Sequence, residues 1–227
     1  MKLHNPLWKD FRNKDVVRLP AGSRVRIAGW AHAIRDLGGI VFLLVRDSDG
    51  LVQVVASKSE LDEKTFNAFK GVKPETVLSI EGVVKQSPKA PRGVEIKALS
   101  LSILNEANVP SHLEPSSRGR ISLDERLDNR TLDLRKPRNM AIFKFQSSLV
   151  KHIREYLHLH GFVEVFTPRL IATATEGGAA LFPIAYFDKE AFLAQSPQLY
   201  KEQLSSVFER VYEIGPLFRA EESQTDR

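Results

Sequence analysis

The chain has 227 residues, with 33 Lys or Arg against 28 Asp or Glu, a formal net charge of +5. With 42% hydrophobic and 27% charged residues it has the balance of a soluble globular chain, long enough for one large domain or two small ones. The lack of cysteine excludes disulfide frameworks, thiolate metal sites and thiol nucleophiles, no stretch reaches the roughly 18 apolar residues of a membrane span, and MKLHNPLWKDFRNK lacks the apolar core of a secretory signal.

A reduced, cytoplasmic setting is expected on these grounds. The charge is not evenly spread. Residues 1–110 carry 17 Lys/Arg and 12 Asp/Glu, and residues 111–227 carry 16 of each. The positive excess therefore lies in the first half, where it favours a polyanionic partner.

In chain order, RVRIAGWAHAI (24–34), IVFLLVR (40–46) and LVQVVA (51–56) predict three strands. The joints RDLGG and DSDG between them suit hairpins. SELDEKTFNAFKGV (59–72) predicts a helix, with Ser59 as cap, Asp62 and Glu63 in the first turn and Gly71 at its end. TVLSIEGVVKQ (76–86) and VEIKALSLSIL (94–104) predict two more strands, joined through PKAPRG. Three strands, a helix and two strands is the element order of an OB-fold, a five-stranded barrel that commonly binds oligonucleotides. The order alone says little about the ligand.

Residues 105–122 read as a linker, and RLDNRTLDLRKP (126–137) as a charged, turn-rich passage. From Arg138 a helix is predicted, with Ile142, Phe145, Leu149, Ile153 and Leu157 on one apolar face and a stop at Gly161. Short strands follow at FVEVF (162–166), AFLAQS (191–196) and RVYEIGPLFRAEE (210–222), around a helix near 197–206.

Three segments of the second half offer chemistry together: TEGG, QSPQLYK and FRAEE. They hold Glu176, Gln198, Lys201, Arg219 and Glu221, with Arg227 beyond. The planar fork of an arginine binds carboxylate or phosphate in a bidentate way. A lysine can meet a second carboxylate, a glutamate an ammonium, and Gly177–Gly178 would let that loop move. Two cations and one anion match an acidic amino acid. Each segment alone fits a plainer role: FRAEE an ion-paired surface strand, EGG a turn, and QSPQ a helix start with Ser196 as cap.

The sequence closely resembles the class II aminoacyl-tRNA synthetases, specifically the aspartyl enzymes of archaeal and eukaryotic type. The resemblance rests on GWAHAIRDLGGIVFLLVRDSDGLVQVV (29–55), RLDNRTLDLRKP (126–137), GFVEVFTPRLIATATEGGAALFPIAYF (161–187), AFLAQSPQLYK (191–201) and RVYEIGPLFRAEE (210–222). It implies an α+β multidomain chain. An OB-fold anticodon-binding barrel over 1–105 and a linker over 106–125 would precede the start of an antiparallel-sheet catalytic domain over 126–227, carrying motif 1 and the first strand of motif 2.

The site residues follow from the same resemblance. Phe42 would stack on an anticodon base, while Arg35 and Gln53 contact bases, as OB-folds read unstacked nucleotides; a core position on its strand is the alternative for Phe42. His32 and Pro91 would lie near the third anticodon base, where His and Pro resemble the form that discriminates against tRNA-Asn. Pro168 of motif 1 would lie at a homodimer interface. Arg219 would be the catalytic arginine, holding the ATP α-phosphate and the aspartate carboxylate, with Glu221 and Arg227 on ATP. Glu176 would meet the aspartate ammonium, and Gln198 and Lys201 would line the aspartate site, Lys201 on the side-chain carboxylate.

The implied reaction is activation of L-aspartate by ATP to aspartyl-adenylate, then transfer to tRNA-Asp. ATP and Mg²⁺ are expected, the Mg²⁺ ligands beyond residue 227. Ser223 and Asp226 depart from the family form of this strand, which has His after the paired glutamates and Thr or Ser before the arginine. The family pattern runs on past Arg227, so the chain is expected to be a fragment cut within motif 2 and inactive alone. The alternatives are an asparaginyl-tRNA synthetase, disfavoured by a cation at Lys201, a non-catalytic tRNA-binding or dimerisation module, and an asparagine-making paralogue, disfavoured by the barrel.

Overall fold

The computed structural model describes residues 9–107, 121–173 and 181–221. Its contacts divide the chain into two compact units, 1–141 and 142–227.

The first unit is built on the predicted strands. β1 (Arg24–Asp36), β2 (Ile40–Asp47), β3 (Gly50–Ser57), β4 (Val77–Gln86) and β5 (Val94–Asn105) close a barrel in the order β1-β2-β3-β5-β4. The β3–β5 pair is parallel and the others antiparallel. Closure leaves the ladder without a free edge. The period-two pattern sends Val41, Leu43 and Val45 inward from β2, and Val52, Val54 and Ala56 inward from β3. Ile27, Leu78, Ile80 and Ile96 join them.

Strands cross closely here. A Cβ on Gly29 would fall well inside contact distance of the Arg46 carbonyl oxygen, so only glycine fits that point of β1.

The helix between β3 and β4, α2 (Glu63–Lys70), is shorter than predicted. Its cap is Asp62, whose carboxylate accepts from the Thr65 N–H at 2.9 Å, and not Ser59. Ser59 is engaged with the Ser57 hydroxyl at 2.9 Å, in a turn whose Glu60 and Leu61 N–H groups donate to the Ser57 carbonyl. Phe66 and Phe69 of α2 enter the barrel core.

One unpredicted element precedes the barrel, the single turn α1 (Asn13–Val16). Buried Asn13 donates through Nδ2 to the Val45 carbonyl (2.9 Å) and the Gly50 carbonyl (3.1 Å), and its N–H donates to Asp47 (2.9 Å). The passage read as turn-rich forms two short helices, α3 (Leu123–Asp128), capped by Ser122, and α4 (Arg130–Asp133). Helix therefore begins inside the segment expected to be linker.

α5 (Pro137–Leu159) follows, ending before Gly161 at φ +76°. Four of the five residues in its predicted apolar row are exposed, Ile142 at 59% and Phe145 at 70% the most, and Leu157 alone is partly buried.

In the second unit the strands are short. β6 (Val163–Glu164) pairs parallel with β10 (Val211–Tyr212). β7 (Leu170–Ile171), β9 (Lys189–Leu193) and β8 (Pro183–Tyr186) form an antiparallel sheet in that order. The sheets are thus mixed rather than wholly antiparallel. The strand expected over 210–222 is reduced to two residues. Past Tyr212 the segment meets its neighbour through Phe218 N–H to the Ala194 carbonyl (3.1 Å), which is not a ladder. α6 (Gln198–Phe208) realises the predicted helix, but its cap position is Pro197, which makes no side-chain cap bond; Ser196 stands one residue earlier, where its hydroxyl accepts from the Gln198 N–H at 3.0 Å.

Candidate functional site

The outer face of the barrel carries two cross-strand rows. Register places Ala33, Leu44, Gln53 and Glu95 side by side, and Arg35, Phe42, Val55 and Lys97 in the next row on the same face. Phe42 is half-buried between inward-facing Val41 and Leu43, so it lies outside the core.

Arg35, Phe42 and Gln53 line one groove of about 610 Å³. Three polar residues not singled out in the sequence line it too, Ser87 and Lys89 from the β4–β5 connection and Glu95, with apolar Ala33, Ile34 and Leu44. Glu95 is nearly buried, accepts from Gln53 Nε2 at 3.1 Å, and lies 3.8 Å from Lys85 Nζ. The contact holds the Gln53 amide by its nitrogen.

The groove thus combines an aromatic face, a guanidinium, an ammonium and an oriented amide, the equipment for stacking and base-edge hydrogen bonds. At one end, Asp36 anchors the β1–β2 turn. The Gly38 N–H (2.8 Å) holds its carboxyl below the usual range, aided by Lys70 at 3.2 Å.

His32 is placed differently. It is the bulged residue of β1, between the pairs Ala31–Val45 and Ala33–Leu44. Its Nδ1 accepts from Arg46 Nη1 at 2.9 Å. Burial, and then the Arg46 charge, push its pKa down. Arg46 also pairs with Glu75 at 2.7 Å, and Glu75 with Arg135 at 3.2 Å. Both guanidiniums approach the Trp30 ring, at 5.6 and 4.9 Å. The ring of His32 therefore serves this network and is not among the groove's lining. Pro91 starts a short 3₁₀ turn, Pro91–Gly93, two residues beyond Lys89.

In the second unit, Gln198 and Lys201 are one turn apart on α6 and line a shallow groove of about 400 Å³ with Phe162 and Arg210. Gln198 Nε2 donates to Glu202 at 3.0 Å. Arg219 is half-exposed, 3.9 Å from Glu221, and does not line that groove. Glu176 and Arg227 lie outside the described residues, as do Ser223 and Asp226. Among the described residues no group of three or more His, Asp or Glu side chains is placed to hold a metal ion.

Pro168 is exposed, between two residues that are tied down. Buried Glu213 accepts from the Thr167 N–H (3.0 Å) and hydroxyl (2.9 Å), and from Arg169. Burial would raise the Glu213 pKa, but these donors outweigh it and the net shift is downward. No described helix is long and apolar enough to cross a membrane.

Comparison with known proteins gives two family matches. Residues 25–104 match the OB-fold nucleic acid binding domain, and residues 122–227 match the class II tRNA synthetases (D, K and N). The Aspartate--tRNA(Asp) ligase of Thermococcus kodakarensis is 50% identical over 97% of this chain and 51% of its own length. The Aspartate--tRNA(Asp/Asn) ligase of Archaeoglobus fulgidus is 49% identical over 91% of this chain and 48% of its own. Asparaginyl-tRNA synthetase from Pyrococcus horikoshii, in complex with asparaginyl-adenylate, aligns with a TM-score of 0.80 and 39% identity, covering 90% of this chain and 47% of that one.

The chain spans about half the length of the relatives it matches. With both halves matched in order, and relatives of one kind across nearly all its residues, the chain belongs to the class II tRNA synthetases and joins an OB-fold nucleic-acid-binding domain to the start of a synthetase catalytic domain.

Proposed function

We propose that the chain is part of an aspartate–tRNA ligase whose barrel grips the anticodon of tRNA-Asp. The observation that carries the reading is the gathering of Phe42, Arg35 and Gln53, from three strands, in one outer-face groove. Phe42 stacks an unpaired base. Gln53, held by Glu95 through its nitrogen, turns its carbonyl oxygen to a base amino group. Arg35 and Lys89 meet base edges or phosphate.

In the catalytic part, Lys201 pairs with the side-chain carboxylate of L-aspartate beside Gln198, and Glu176 holds its ammonium. Arg219 spans the α-carboxylate and the ATP α-phosphate, with Glu221 and Arg227 on the nucleotide. A carboxylate oxygen attacks the α-phosphorus and pyrophosphate leaves. A ribose hydroxyl of the tRNA's terminal adenosine then attacks the acyl carbon, and AMP leaves. The residues' work is positioning and charge neutralisation. ATP and Mg²⁺ are used by the family generally. The exposed row of α5 and Pro168 form the surface of a homodimer.

The second reading is asparagine, favoured by the 39% identity to an asparaginyl enzyme. A cation at Lys201 counts against it, because a neutral carboxamide leaves that charge unpaired. ATP–pyrophosphate exchange by the full-length protein decides: exchange driven by aspartate is expected, and exchange driven by asparagine alone would overturn the reading. Relatives named for tRNA-Asp alone and for both tRNA-Asp and tRNA-Asn stand at nearly equal identity. Charging both transcripts separates the two.

A further inference from the structure

The groove on the barrel leaves unused a second set of cations in the same compact unit, where α3 meets α4. Asp133 is fully buried, and three basic side chains converge on its carboxylate. Arg126 Nε lies at 3.0 Å, Arg130 Nη1 at 2.9 Å and Lys136 Nζ at 3.9 Å. The Arg126 hydrogen bond is the main cause that holds the Asp133 carboxyl below the usual range, so it is an anion at neutral pH. One negative charge thus holds three positive ones.

The corner is also hydrogen-bonded to the start of α5. Asn139 Nδ2 donates to the Asp133 carbonyl at 2.8 Å, closing the corner where α5 begins. Yet the cations are not sealed in. The side chains of Arg126 and Arg130 are 34% and 42% exposed, and that of Lys136 is 20% exposed. The corner is also fixed to the barrel, since Arg135 pairs with Glu75 and covers Trp30. α3 carries Asp124, Glu125 and Asp128 as well, so the whole segment is not strongly basic. The excess is local to the three side chains around Asp133.

We propose that Arg126, Arg130 and Lys136, pre-ordered by Asp133, form a phosphate-binding site for the RNA backbone, separate from the base-reading groove. The carboxylate fixes the forks in advance, so an incoming phosphodiester meets ordered donors and a net positive charge, and less side-chain entropy is lost on binding. The site carries no base information; it sets where the RNA helix lies once the unpaired bases are in the groove. This rests on the barrel reading above.

The test is the salt dependence of binding of a tRNA transcript with the aspartate anticodon to the 227-residue chain, read by fluorescence anisotropy. Loss of one phosphate contact lowers the slope of log K against log salt by about one unit. Arg130→Gln and Lys136→Gln are each expected to lower it by that amount. Phe42→Ala should lose affinity at every salt concentration with the slope unchanged, because stacking releases no counterions. A purely structural corner would lower Tm in Arg130→Gln and leave the slope alone, which overturns the proposal while the groove stands. Lys136, at the longest distance from Asp133, provides a variant that keeps both arginine contacts should Arg130→Gln fail to fold. A wild-type chain that does not bind the transcript overturns both readings.

Discussion

The two units divide sharply in how they satisfy themselves. Every residue of the main apolar core lies between Val16 and Ala98, within or around the barrel. α5 is 23 residues long and has one buried residue, Asn139. A closed barrel pairs its own edges and faces its apolar side chains inward, so it needs nothing outside itself. A long amphipathic helix and two-residue strands cannot do this, and among the described residues Ile142, Phe145, Leu149 and Ile153 of α5 stay exposed. One half of the molecule is therefore a closed barrel with its own core, and the other, among its described residues, is organised by polar clamps such as Glu213 more than by a core.

Four perturbations would break or sharpen this contrast. Gly29→Ala strikes the barrel where two strands cross, and the new methyl meets the Arg46 backbone carbonyl, which cannot swing away. A loss of about 3 kcal/mol or more is expected by urea unfolding, and a loss under about 0.5 kcal/mol would show that the crossing relaxes freely.

Glu213→Gln tests the clamp of the second unit. Loss of the carboxylate leaves Thr167 and Arg169 poorly paired, at about 1–3 kcal/mol. The pH dependence has a definite sign. The folded Glu213 carboxyl titrates below its unfolded value, so its contribution is complete above the ordinary glutamate range and is lost as pH falls through the folded value. The acid limb of the stability profile should flatten in Glu213→Gln, and an unchanged limb would assign acid lability to other carboxylates.

Phe42→Ala separates function from core. Removing an outward-facing ring should cost RNA binding about 1–3 kcal/mol and leave barrel unfolding within about 1 kcal/mol of the parent. A larger stability loss than binding loss would return Phe42 to the core. Last, Phe145→Ser on the exposed face of α5 should move stability by no more than about 0.5 kcal/mol while shifting a homodimer toward monomer by sedimentation velocity. Destabilisation with no change in mass would mean that the face packs within its own chain.

Much of the barrel was legible because its signals are local. Alternation over six to eleven residues, with glycine joints in the hairpins, located all five strands to within two residues at either end. Ser59 misled as a cap because three candidate oxygens crowd one stretch, and the choice of Asp62 depended on a turn that engages Ser59 with Ser57. The groove residues Arg35, Phe42 and Gln53 were legible by resemblance. Glu95 was not, because its contact with Gln53 spans 42 residues and exists only through the parallel β3–β5 pairing. A carboxylate on the outer face of a strand carries no mark of that in its neighbours.

Element identity, the basic first half and the family were therefore written along the chain, in periodicity, composition and motif. The pairing partners were not. Whether FRAEE becomes a strand depends on backbone donors and acceptors supplied from elsewhere, and here residues 213–221 find too few to do so. The same holds for His32, directed to Arg46 by a bulge, and for the three cations gathered on Asp133. Long-range pairing and desolvation decide such matters, because their energies exist only once distant segments meet.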